Sequence, residues 1–470
     1  MMIELVPSIL LVISASFSAT ILLLHSIYGF TAMRTQLRRP LPNLVMYPSV
    51  AVIVPAKREP IDLIERVLHS LIKLDYPRDK LKIILVCDDY TAEEQRAILN
   101  IVSRFRELID IEALFRKSGK YKASALNHAL KHVDADYIAI IDVDNVITPE
   151  FLKRAVSYLT SDTRVAAYTC RWTALNPDDS AVSRAIALSQ DFMFNVLMRG
   201  RYALSLRPFI LGTGSVVKKH VLNEVGGFPE SIIEDLDLSL EVMMRGYQIH
   251  YDHDCLVYVE VPTTYASFRK QQIRWVYGAT YLIINKLPKF FRSKEVKLRE
   301  KIDVLLYLSQ YVGAMLILLT LFALTLTVAY VRDVQLWAFY IALILWVLSS
   351  VAYITVFFMF TRRMEISFVK AIKLLGASSI MITLMSPCLL ISTLKCLLRI
   401  PQEWCITPKG SARWFYTSFI HYLPEICVAV VSVAIFIGAV MRGLVYTALT
   451  VLPVVIAYLR GLLNLALKRY

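Results

Sequence analysis

Five stretches of this chain, residues 5–30, 303–331, 335–360, 417–440 and 443–459, are apolar and almost free of charge. A helix of about 20 apolar residues crosses the hydrocarbon core of a bilayer and satisfies its own backbone hydrogen bonds there. The stretches therefore predict five membrane-spanning helices. They also account for a hydrophobic share of 56%, which is high for a soluble domain. Residues 40–280 are different: charges are mixed and apolar runs are short, as in one globular domain. The predicted organisation is a spanning helix over 1–33, a globular domain over 45–280 and a basic amphipathic segment over 281–302 lying on the membrane. Two spanning helices follow over 303–360, then an interfacial or re-entrant segment with a polar loop over 361–416. Two more helices and a basic tail occupy 417–470.

The formal charge is +14, from 52 basic and 38 acidic residues. Much of the excess flanks the apolar stretches: Arg34, Arg38 and Arg39 after the first, Arg362, Arg363, Lys370 and Lys373 after the third, and Arg460, Lys468 and Arg469 at the end. That pattern predicts a lipid-facing protein and no nucleic-acid partner. By the positive-inside rule the globular domain is cytoplasmic and the N-terminus lies outside, in a plasma-membrane protein. The first stretch lacks a basic leader and reads as a retained anchor. A single crossing by residues 376–397 would put Arg399, Lys409 and Arg413 outside, so residues 364–397 read as interfacial or re-entrant. The seven cysteines show no C-x-x-C pair, which predicts neither a disulfide framework nor a zinc site.

Within the globular block, apolar runs and amphipathic segments alternate. Residues 50–54, 81–86 and 137–141 read as buried strands, and 63–74, 92–105 and 123–132 as helices. Alternation predicts an α/β domain with a mostly parallel sheet covered on both faces. Ligands of such sheets bind beyond the C-terminal strand ends, where Glu59, Asp88, Asp89, Asp142 and Asp144 fall.

Asp142-Val143-Asp144 follows an apolar strand. Two carboxylates there can hold a hard divalent cation, Mg2+ or Mn2+, that also ligates phosphate oxygens, although many strands end in solvated acids. Glu234-Asp235 opens a probable-helix pattern; a carboxylate there can act as general base, or simply stabilise a helix start. In Gln271-Gln272-Ile273-Arg274-Trp275, helical spacing puts Gln271, Arg274 and Trp275 on one face. Arginine binds diphosphate through its fork, and an indole face accepts a sugar ring. Lys122 can reach a phosphate as a point charge. The segment 404–410, with Trp404, Thr407 and Lys409, lies between apolar stretches and can close over a bound nucleotide.

Together these residues resemble the processive branch of family 2 glycosyltransferases, which includes cellulose, chitin and hyaluronan synthases. The resemblance covers roughly residues 45–440. It implies a GT-A (Rossmann-like) α/β domain inserted between transmembrane α-helices, an inverting reaction on a UDP-sugar with a divalent cation, and polymer translocation. Asp142 and Asp144 match its D-x-D, Asp235 the base of T-E-D (with Ile233 for threonine), and Gln271, Arg274 and Trp275 its Q-x-x-R-W. Lys122 matches the lysine of K-A-G-x-L-N, with Ser124 for glycine. Asp88 and Asp89 match the nucleoside-contacting pair. Trp404, Thr407, Lys409 and Gly410 match the gating loop. Lys57 stands where the family has a uracil-stacking tyrosine, while Glu59 is kept.

Two other readings remain at this stage. One is a single-addition enzyme with a lipid acceptor such as polyprenyl phosphate or a diacylglycerol. The other is a non-catalytic transporter or channel. The transporter reading leaves the acids at successive strand ends unexplained, and transporters place ionisable residues inside their spans, where Glu425 is the clearest here.

Overall fold

The structure is a computed structural model that describes residues 2–35, 40–117, 119–330, 332–402, 407–415, 417–467 and 469. Among the described residues, eight strands form one sheet: β1 (Val50–Lys57), β2 (Leu81–Asp88), β3 (Asp110–Arg116), β4 (Tyr137–Ile140), β5 (Asn145–Ile147), β6 (Val165–Ala174), β7 (Ser215–Lys218) and β8 (Gln248–Val259). Their order is β3-β2-β1-β4-β7-β6-β8-β5. The first four are parallel, as the alternation predicts. Beyond β4 the sheet is mixed: β7 runs against both β4 and β6, β6 and β8 are parallel, and β5 runs against β8. From β1 the chain builds outward to β2 and β3, then returns to add β4 on the other side of β1. A crevice opens where strand order reverses in this way, beyond the strands' C-terminal ends.

The helices follow from their apolar spacing and caps. α1 (Met2–Arg34) precedes the sheet. α2 (Ile61–Leu71) buries Leu63, Ile64, Val67, Leu68 and Leu71 on one stripe. α3 (Ala92–Arg106) starts at a Thr91/Glu94 capping box. α4 (Lys122–Leu130), α5 (Phe151–Ser161), α6 (Ala181–Phe192), α7 (Arg199–Ala203), α8 (Lys219–Val225) and α9 (Glu234–Met244) complete the connections. Two apolar layers cover the sheet's faces, one with Val52, Leu63 and Phe151, the other with Ile53, Leu126 and Leu238.

Then come α10 (Tyr265–Asn285), α11 (Leu287–Arg292) and α12 (Leu298–Leu308). Residues 281–285 continue α10; Leu287, Phe290 and Val296 are buried in the domain's own core, while Ile284, Phe291, Leu298 and Ile302 are exposed. An amphipathic pattern looks the same whether its apolar side meets protein or lipid. Two buried ion pairs fix α12: Arg207 clamps Glu300 (2.7 Å), and Arg201 clamps Asp303 (2.5 Å). Tyr28 of α1 also donates to Asp303 (2.5 Å), so the first apolar helix is tied to the domain.

α13 (Val312–Ala329), α14 (Leu336–Arg363), α15 (Phe368–Leu384), α16 (Ser386–Leu397), α17 (Leu423–Met441) and α18 (Val445–Ala466) form the apolar bundle with α1. Among the described residues, five helical segments, Leu5–Arg34, Val312–Ala329, Leu336–Arg363, Phe419–Met441 and Val445–Ala466, are long and apolar enough to cross a membrane. α15 and α16 meet at a 46° bend, the geometry of a broken span or a re-entrant loop. Glu425 is fully buried and pairs with Arg269 of α10 at 2.7 Å, so its charge is met inside the bundle. The six described cysteines are free thiols.

Candidate active site

Three strand ends and two helix starts converge on one cavity of about 800 Å³. Its wall includes Glu59 beyond β1, Asp88 at the last position of β2, Asp142 and Asp144 beyond β4, Lys122 at the start of α4, and Glu234 and Asp235 at the start of α9. Gln271, Arg274 and Trp275 reach it from one face of α10, as their spacing predicts. Thr407 and Lys409 reach it from the loop after α16. Asp89 stands beside the cavity rather than in its wall, with Lys57 Nζ 3.9 Å away. Trp404 lies outside the described residues.

The charges are arranged in a mesh. Lys122 Nζ is 2.5 Å from Asp142 and 3.5 Å from Glu234. Lys409 is ion-paired with Asp144. Arg116 holds Asp88 at 2.7 Å. Burial pushes the Asp235 carboxyl up to about 7, with the neighbouring Glu234 charge adding to it and Lys122 opposing. Burial pushes Glu59 up to about 8 and also raises Asp144, against the pull of Lys409. Burial works against the Lys122 ammonium, but Asp142 and Glu234 more than offset it, so its net shift is upward. Burial lowers Arg274, opposed first by Glu234 and Asp142.

Asp142 and Asp144 offer carboxylate oxygens of the kind a hard divalent cation takes, though among the described residues no cluster of three or more His, Cys, Asp or Glu that could hold a metal ion is present. The Asp142 charge raises the cost of charging Asp144, and Glu260 adds to it from a third position. Two lysines meet that negative charge here. Thr407 Oγ1 and Asn145 Oδ1 are buried on the same wall without a hydrogen-bond partner among the described residues, and such groups are costly unless a ligand satisfies them.

The loop segment carrying Thr407 and Lys409 is anchored on its C-terminal side. The Gly410 N–H donates to Glu260 (2.7 Å), the Thr263 and Thr264 hydroxyls donate to the Arg413 and Phe415 carbonyls (2.6 and 2.7 Å), and Arg413 pairs with Asp179 (3.0 Å). Gly410 has φ +57°, and an added Cβ would come within 2.8 Å of Leu63, so this turn needs glycine.

Residues 48–278 match the family described as "Glycosyltransferase like family 2". They form a family 2 glycosyltransferase domain. The chain is thus an enzyme, and the transporter reading is set aside. It is similar to a "Probable glycosyltransferase" of Sulfolobus acidocaldarius, 26% identical over 373 residues that cover 78% of each chain. It is also similar to glucomannan 4-beta-mannosyltransferase 1 of Oryza sativa subsp. japonica, 29% identical over 266 residues, 55% of this chain and 51% of that one. The chain spans about half the length of that plant relative. Among solved structures, the mannosyltransferase PcManGT of Pyrobaculum calidifontis, in complex with GDP-Man and Mn2+, shares the fold. Its TM-score is 0.55 at 23% identity, over 83% of this chain and 99% of that one.

Two parts of the family 2 domain's cavity escaped the sequence analysis. Glu260, just past β8, is 2% exposed and pairs with Arg66 at 2.9 Å. An acid after an apolar run was the available signal. Gly212 has φ +53°, and an added Cβ would lie 2.9 Å from Asp235 Oδ2. Thr213 beside it accepts from the Asp142 N–H (3.0 Å) and from Asn145 (2.8 Å). The Gly-Thr-Gly turn at 212–214 therefore spaces the D-x-D from Asp235.

Proposed function

We propose that the chain moves a hexose from a nucleotide sugar to a growing polysaccharide by an inverting reaction, coupled to passage through the membrane. The reading is carried by one observation: Asp235, raised toward neutrality, shares a cavity with Asp142, Asp144, Lys122 and Arg274. Asp235 takes the proton of the acceptor hydroxyl. The freed oxygen bonds to the anomeric carbon from the face opposite the diphosphate. The carbon–oxygen bond to the diphosphate breaks, and its electron pair leaves with that group. Arg274, Lys122 and Lys409 face the accumulating charge, and Thr407 adds a hydroxyl donor. A divalent cation, Mg2+ or Mn2+, would be held by Asp142 and Asp144 and would supply positive charge to the diphosphate. Glu234 holds Lys122 in place. Gln271 and Trp275 position the acceptor, the indole by stacking on its terminal ring. Glu59, Asp88 and Asp89 serve the nucleoside side. The domain faces the cytoplasm, and the N-terminus lies outside.

The sequence resemblance points to UDP as the nucleotide. We put GDP-mannose first, because the plant relative is a glucomannan mannosyltransferase and PcManGT binds GDP-Man. Asp89 adds a physical reason: a carboxylate suits the adjacent N–H donors of guanine, and Lys57 at 3.9 Å stands in place of a stacking ring. The test is nucleoside diphosphate release by purified protein given GDP-mannose, UDP-glucose or UDP-N-acetylglucosamine, with Mn2+, Mg2+ or chelator, together with sizing of the product. Metal-dependent release with a ladder of products is expected. A single lipid-linked sugar would support single addition instead, and no release with any donor would contradict the reading.

A further inference from the structure

Glu260 stands where three separated parts of the chain meet. It follows β8, is 2% exposed and lines the cavity. Its Oε2 accepts from Arg66 Nη2 of α2 at 2.9 Å, and that same nitrogen donates to the Asp144 carbonyl at 2.8 Å. Its Oε1 accepts the Gly410 N–H at 2.7 Å, from 150 positions along the chain. One carboxylate therefore joins α2, the D-x-D turn and the loop that carries Thr407 and Lys409.

The backbone around this junction is fixed as well. Asn176 brackets Val261, accepting from its N–H (2.8 Å) and donating to its carbonyl (3.1 Å). Leu63 lies one turn before Arg66 on the same face of α2. It backs the Gly410 turn, where an added Cβ would come within 2.8 Å of it. A buried carboxylate is costly unless its oxygens are met. Here one oxygen is met by an arginine bound to the D-x-D backbone and the other by a loop amide. Lys409 immediately precedes that amide and is ion-paired with Asp144. The place of Glu260 thus sets where the loop's cation stands relative to the D-x-D.

We infer that Glu260 is a positioning residue for transfer: through the Gly410 amide it holds Thr407 and Lys409 against the D-x-D, where they face the donor's diphosphate. It touches no reacting atom and acts through those two side chains, while Arg66 aims its carboxylate. This rests on the proposed transfer reaction and adds the group that sets the loop's place.

The test is Glu260→Gln in the full chain, held in lipid nanodiscs. A carboxamide has one acceptor oxygen and an NH2 group, so it cannot serve both Arg66 and the Gly410 amide. GDP and, separately, UDP are titrated by calorimetry with Mn2+ present, and donor and acceptor KM are measured with the donor that wild type uses. Glu260→Gln should weaken nucleoside diphosphate binding and raise donor KM by about 10- to 100-fold, the scale of a lost charge-assisted hydrogen bond, with acceptor KM unchanged. The same substitution is then made in Thr407→Ala/Lys409→Ala, where neither side chain remains to be placed. There it should change nucleotide affinity by less than about 3-fold, because residues acting through one another are not additive. A full loss in that background would overturn the inference, since it marks a structural role independent of the loop. So would a raised Mn2+ requirement with unchanged nucleotide affinity at saturating Mn2+, since Glu260 would then serve the metal. If thermal unfolding shows Glu260→Gln to be misfolded, Arg66→Gln, at a less buried position, decides by the same comparison. Absence of diphosphate release by wild type with every donor would contradict the transferase reading, whereas the binding comparison decides the role of Glu260 by itself.

Discussion

Asp235→Asn is expected to lower kcat by about 10²- to 10⁴-fold, the usual contribution of a general base, while nucleotide affinity stays within a few-fold of wild type. The substitution keeps shape and removes the proton acceptor. It separates Asp235 from Glu234, which the sequence leaves as a second carboxylate at the same helix start. Glu234 lies 3.5 Å from Lys122 Nζ, so Glu234→Gln should act through Lys122 and raise the KM for donor. The pH dependence follows from burial. The Asp235 carboxyl is pushed up to about 7, so below that pH the base is mostly protonated and idle. Wild-type kcat/KM should therefore rise with pH through about 7, and the small residual rate of Asp235→Asn should lack that rise. Steady-state kinetics across pH checks both. Wild-type-like turnover by Asp235→Asn would remove Asp235 as the base.

The second large effect concerns stability. Asp303→Ala leaves Arg201, which is 2% exposed, without its counter-charge and Tyr28 without its acceptor. Removing one partner of a buried ion pair costs about 3–5 kcal/mol, a large share of the stability of a domain. The Arg201→Met/Asp303→Leu double variant should recover much of that loss, because no uncompensated charge remains. Thermal unfolding of the purified variants reads both. An Asp303→Ala protein as stable as wild type would mean the pair is not what ties α1 and α12 to the domain.

The sequence carried the strand-end acids because a parallel strand is read from its own local pattern, and the residue after it falls at the ligand-binding edge. Glu59, Asp88, Asp142 and Asp144 follow that rule. Helical spacing was enough to bring Gln271, Arg274 and Trp275 to one wall. What it did not carry was long-range. β7 is four residues long and lies between strands from distant parts of the chain, so its reversed direction has no local signature. Glu260 and Gly212 belong to the cavity only because β8 and the turn before β7 end beside β4. The partnership of Arg201 with Asp303 spans 102 positions, and a lone arginine in a helix gives no sign of its mate. Residues 287–296 show the same limit, since periodicity identified an apolar side without saying what covers it.

The central claim is that one carboxylate, Asp235, drives direct displacement at the anomeric carbon. The most direct test is the anomeric configuration of the first bond formed from an α-linked nucleotide sugar, read by NMR of the isolated product. Direct displacement predicts a β-linked sugar, and an α-linked product, which requires retention, would contradict it.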